Sequence, residues 1–94
     1  MRLDSVQKAA LEKAIEDVDG EVYLFGSRVD ETGKGGDIDI LIFSEGDPFK
    51  LSRDVSVKFF MECEEKIDVT VMNPNKLTGE QQAFLKVIKM EKLK

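Results

Sequence analysis

The chain has 94 residues, 41% hydrophobic and 35% charged, with a net charge of −5. These are the values of a soluble globular protein and of one domain with one modest core. The acidic balance argues against a dedicated DNA or RNA binder, which carries a basic face. No signal-peptide pattern opens the chain, and no apolar run is long enough to span a bilayer. Cys63 is the single cysteine, which leaves no intramolecular disulfide and suits a reducing, cytoplasmic setting.

The charge is unevenly spread. Residues 1–47 hold five basic and twelve acidic side chains, and residues 48–94 hold nine basic and seven acidic. The basic tail, with Lys86, Lys89, Lys92 and Lys94, reads either as a solvated helix face or as a surface for an acidic partner.

In chain order, Leu3 to Val18 is predicted as a helix. Asp4 caps it, with Gln7 three residues on in a capping-box arrangement. Val6, Ala10, Leu11, Ala14, Ile15 and Val18 recur at helical spacing and are the expected core stripe. Asp19-Gly20 ends the segment. Glu21 to Phe25 is a short strand rich in β-branched and aromatic residues, with Tyr23 expected in core packing. Gly26 and Ser27 end that strand, and a loop follows to Gly36, with one helical turn expected near Ser27 to Glu31. Gly33, Gly35 and Gly36 give the second half of the loop conformational freedom.

Asp37 to Phe43 is the second strand. It is nearly continuous in apolar residues after Asp39, as a central strand covered on both faces would be. Asp47, with Pro48 at the first helical position, opens a helix running to about Glu65. Within it the stretch 55–59 also alternates at period two, so a strand is the competing reading there. Leu51, Val55 and Phe59 mark one side of the helix. Phe59, Phe60 and Met61 are expected in the core, with one of them available to line an adenine pocket, and Cys63 is expected to be an inert small hydrophobe. Lys66 to Met72 is a third strand, broken by Asn73-Pro74. Thr78 and Gln81 open a last helix, whose Phe84, Leu85 and Ile88 form an apolar stripe. The expected architecture is a small α/β fold, a short mixed sheet of about three strands with helices packed on it.

Chemistry concentrates at Gly26-Ser27, Asp37, Asp39 and Asp68. In an extended strand residues i and i+2 share a face, so Asp37 and Asp39 project together while Ile38, Ile40 and Ile42 point the other way. Carboxylates this close repel unless a proton or cation lies between them. No histidine is present, and an all-oxygen donor set suits Mg²⁺ or Mn²⁺. Asp68 interrupts an otherwise apolar third strand; if that strand pairs beside the second, Asp68 comes alongside Asp37 and Asp39 and completes a site for two divalent ions. The Gly26-Ser27 turn offers backbone N–H groups and a hydroxyl to a phosphate.

This set resembles the DNA polymerase β nucleotidyltransferase superfamily. Its signature is an apolar strand ending in Gly-Ser, a loop, an Asp-x-Asp flanked by apolar residues, and a third carboxylate on a later strand. Here these stand as Leu24-Phe25-Gly26-Ser27, Asp37-Ile38-Asp39-Ile40 and Asp68, within a likeness that spans Leu3 to about Ile88. The small size resembles the minimal nucleotidyltransferases of bacteria and archaea, which are paired with HEPN-domain proteins, several of them as toxin–antitoxin systems. The resemblance implies a Mg²⁺-dependent enzyme that transfers a nucleoside monophosphate, AMP from ATP, to a hydroxyl on a partner protein.

By the same resemblance Asp37 and Asp39 bind both metal ions, and Asp68 holds the catalytic metal and helps deprotonate the acceptor. Gly26 and Ser27 hold the β- and γ-phosphates, with Arg28 and Lys34 as further phosphate contacts. The alternative is a catalytically inactive binding module of the same fold that neutralises a partner by occlusion. Transfer to RNA or to a small molecule is a third reading, which the acidic charge disfavours.

Overall fold

The computed structural model describes residues 1–30 and 36–94. Among these residues three α-helices and the strands of a four-stranded sheet follow one another in chain order. They are α1 (Ser5–Ile15), β1 (Glu21–Phe25), a 3-10 turn (Gly26–Val29), β2 (Ile38–Phe43), α2 (Pro48–Cys63), β3 (Ile67–Met72), α3 (Gly79–Val87) and β4 (Met90–Lys92). The sheet runs β3-β2-β1-β4. β1 pairs antiparallel with both β2 and β4, and β2 pairs parallel with β3. A parallel pair needs a crossover, and α2 supplies it.

The helix starts follow their capping residues. The Asp4 side chain accepts from the Gln7 backbone N–H while the Gln7 side chain accepts from the Asp4 N–H, and Thr78 and Gln81 repeat the arrangement at α3. Asp47 caps α2 with Pro48 in the first turn, which settles the 55–59 stretch as helix. Proline fits there because its missing N–H would have no intrahelical partner.

One face of the sheet carries the core. Val22, Leu24, Ile38, Ile40, Ile42 and Ile67 pack with Ala10, Leu11, Ala14 and Ile15 of α1 and with Val55 and Phe59 of α2. β2 lies inside the sheet, and Leu41, which alternation turns to the opposite face, is buried as well. On that second face the rings of Phe25 and Phe84 meet edge to face at 5.7 Å, as do those of Tyr23 and Phe43 at 5.6 Å. α3 has no buried residue and rests on this face through Phe84.

The structure departs from the expected packing in four places. Val6 is 60% exposed, whereas its neighbour Gln7 is 5% exposed and bonds through its side chain to Arg28 and Glu65. Phe60 and Met61 are 46% and 77% exposed. Phe59 faces the sheet, and each further helical residue rotates by about 100°, carrying the next two away from it. The half-buried Tyr23 sends its hydroxyl to Glu21 Oε2 at 2.7 Å. Finally, the sheet has a fourth strand. The basic tail is not one helical face: α3 stops at Val87 and Met90–Lys92 pairs along β1. Lys94 then folds over the end of α1, donating to the carbonyls of Ile15, Glu16 and Val18 at 3.1, 2.8 and 2.6 Å.

Candidate functional site

β1 delivers the Gly26-Ser27 turn to the end of the sheet where β2 begins. The antiparallel register sets Phe25 opposite Asp39, so the turn comes next to the start of β2. Gly26 has φ +78° and sits so close to β2 that a Cβ there would stand 2.5 Å from Asp39 Oδ2. Only glycine satisfies both the left-handed backbone and this approach. Gly36, directly before Asp37, has φ +92°, and a Cβ there would stand 2.5 Å from Ser27 Oγ. Gly26, Ser27, Gly36 and Asp39 therefore form one close-packed corner.

The parallel register pairs Asp39 directly with Asp68, and neighbouring strands lie roughly 4.8 Å apart. Asp37 stands one residue before β2 and is exposed, as is Asp68; Asp39 is half-buried. Burial pushes the Asp39 carboxyl above its ordinary range, and the charges of Asp68 and Asp37 push it the same way. The repulsion anticipated from the carboxylate spacing thus falls on Asp39. Among the described residues no group of three or more His, Cys, Asp or Glu side chains is gathered closely enough to hold a metal ion. The donor chemistry nevertheless fits a hard divalent cation: Asp37 and Asp39 stand two residues apart, Asp68 pairs with Asp39, and burial together with the charges of Asp68 and Asp37 disfavours the Asp39 anion.

Arg28 does not extend away as a free cation. Its Nε donates to Gly36 O at 3.0 Å, and its Nη1 donates to Arg2 O at 3.0 Å and to Gln7 Oε1 at 3.3 Å. Arg2 reinforces the turn from outside, donating from Nη2 to Ser27 O and from Nε to Asp30 O at 3.1 and 3.0 Å. Arg2 and Gln7 had no signal in the sequence as site residues, since the one lies in a polar N-terminal segment and the other reads as a helix cap. Lys34 lies outside the described residues, as do Gly33 and Gly35.

Beside Asp68 an apolar groove of about 390 Å³ runs between α2 and the start of β3, lined by Val57, Phe60, Met61, Lys66, Ile67 and Asp68. A larger cleft of about 550 Å³ at the other end of β2, around Phe43, Ser44 and Asp47, includes none of Gly26, Ser27, Asp37, Asp39 or Asp68.

The helix-backed mixed sheet thus carries a glycine-tight turn against Asp39 of β2, which in turn pairs with Asp68 of β3. The chain belongs to the nucleotidyltransferase-domain family of the polymerase β superfamily, whose family model matches residues 4–93. Its fold is the polymerase-β-like one, and the family uses a nucleoside triphosphate with a divalent metal. No curated protein matches the chain closely enough to count as a relative. No helix among the described residues is long and apolar enough to cross a membrane.

Proposed function

We propose that the protein is a Mg²⁺-dependent nucleotidyltransferase that moves AMP from ATP to a hydroxyl of a partner protein. The observation that carries this reading is the corner at which Gly26 abuts Asp39 while Asp39 pairs with Asp68. It sets the Gly26-Ser27 turn next to the carboxylates that would face the reacting phosphorus.

Gly26 and Ser27 hold the β- and γ-phosphates through backbone N–H groups and the Ser27 hydroxyl, which leaves the α-phosphorus over β2. Asp37, Asp39 and Asp68 are the residues that would hold two Mg²⁺ ions, or Mn²⁺, whose contribution is to neutralise charge developing at that phosphorus. Asp68, the more exposed of the register pair, takes the proton of the acceptor hydroxyl. The acceptor oxygen forms its bond to the α-phosphorus as the bond to the β-phosphate bridging oxygen breaks, and pyrophosphate leaves. Arg28 contributes to nucleotide binding by way of the turn it is bonded to.

A protein acceptor is favoured over RNA by the net charge of −5 and by the exposed apolar side chains beside Asp68, which suit a protein surface more than a polyanion. The likeness to minimal nucleotidyltransferases makes a HEPN-domain protein the proposed partner and a toxin–antitoxin pair the proposed setting, with this chain as antitoxin.

Calorimetry with ATP and Mg²⁺ on the wild type and on Asp37→Asn/Asp39→Asn tests the site. Metal-dependent binding that disappears in the double variant supports it, and no binding by the wild type overturns it. Label from α-³²P-ATP appearing on a HEPN-domain partner supports the acceptor class. Partner binding without label transfer identifies the inactive binding module instead.

A further inference from the structure

We propose that Arg28 is a positioning residue: it closes the neck between the Gly26-Ser27 turn and Gly36, and so holds the turn and the carboxylates in one geometry without touching the nucleotide. The proposal rests on the nucleotidyl-transfer reading of the same site and adds to it how the site is kept assembled.

Three observations support it. The Arg28 Nε and Nη1 donors go to backbone and amide oxygens, those of Gly36, Arg2 and Gln7, and guanidinium offers its donors in a rigid fork suited to bridging several acceptors at once. Gly36 is the residue on which the neck closes, since its α-carbon packs against Ser27 Oγ and it directly precedes Asp37. The brace also continues into the rest of the fold. Gln7, 5% exposed, accepts from Arg28 and donates from Nε2 to Glu65 Oε1 at 2.9 Å, three residues before Asp68. Arg2 ties the same turn from outside, with its backbone N–H on Arg28 O at 2.6 Å and its guanidinium on Ser27 O and Asp30 O.

One bonded chain therefore runs from Gly36 through Arg28 and Gln7 to Glu65. It links the residue before Asp37 to the segment that leads into Asp68. Carboxylates that repel one another need such an external brace, because nothing in their own interaction keeps them together.

The test compares Arg28→Lys, Arg28→Gln and Arg2→Met with the wild type. Two readouts are taken at a temperature where thermal melting shows each variant folded: MgATP affinity by calorimetry, and amide hydrogen exchange at 26–30 and 36–39 in nucleotide-free protein. Faster exchange on both sides of the neck in all three variants, with MgATP bound roughly tenfold more weakly, is the expected result. The lysine variant should recover little, since one ammonium cannot span the three acceptors. The proposal is overturned if the Arg28 variants lose affinity while exchange stays as in the wild type and Arg2→Met binds normally, because Arg28 would then contact phosphate itself. Unchanged exchange together with unchanged affinity overturns it as well. Should the wild type bind no nucleotide, the nucleotidyl-transfer reading fails, and the exchange rates alone decide the neck.

Discussion

Gly26 lies directly against Asp39: a methyl group on its α-carbon would stand 2.5 Å from Asp39 Oδ2, and its φ of +78° is one that side chains disfavour. Turn and carboxylate are therefore a single packed unit. Gly26→Ala is expected to cost roughly 1–2 kcal/mol for the left-handed backbone alone, plus the displacement of Asp39. Chemical denaturation should register that loss, and MgATP binding should be abolished in the fraction that remains folded.

Asp39 carries the repulsion of the site. Its carboxyl titrates above the ordinary range through burial and through the charges of Asp68 and Asp37. A carboxyl whose folded-state pKa is raised adds stability below its unfolded pKa, and that contribution is lost as pH rises through the folded value. At neutral pH the ionised Asp39 therefore weakens the metal-free fold. Asp39→Asn should melt at a higher temperature than the wild type near pH 7, with the gap closing as the pH falls below the carboxylate range. Adding Mg²⁺ should raise the melting temperature of the wild type and leave the variant where it was.

Phe59 is fully buried where α2 meets the sheet, whereas Phe60 and Met61 are exposed on the same helix. Phe59→Ala should cost about 3–5 kcal/mol through lost burial and the cavity left behind. Phe60→Ser and Met61→Ser should change stability by no more than about 0.5 kcal/mol. Urea melts of the three variants check the contrast. Label transfer to a partner should fall in the two surface variants if the groove beside Asp68 receives the acceptor.

Lys94 Nζ donates to three carbonyls at the end of α1, where the last carbonyls of a helix lack partners and favour a cation. Lys94→Met should lose roughly 1 kcal/mol in a urea melt, with salt narrowing the difference because the interaction is partly electrostatic.

Sequence alone determined the local features. The capping boxes at Asp4 and Thr78, the Asp47-Pro48 helix start, the period-two strands and the Gly-Ser and Asp-x-Asp motifs are statements about a few neighbouring residues, and local backbone chemistry decides them. What depends on distant partners came only from the tertiary structure. Met90–Lys92 has no alternating pattern and becomes a strand because β1 offers it an open edge. Gln7 is buried because Arg28 and Glu65 meet it from two other parts of the chain. Val6, Phe60 and Met61 are exposed because the direction in which each helix faces is set by the sheet, which helical periodicity places only to within a residue. The opposition of Asp39 and Asp68 belongs to the same class. Each carboxylate was visible in its own strand, but a one-residue slip of β3 would have turned Asp68 to the other face. The register that prevents it is fixed by the packing of Ile38, Ile40, Ile42 and Ile67 against α1 and α2.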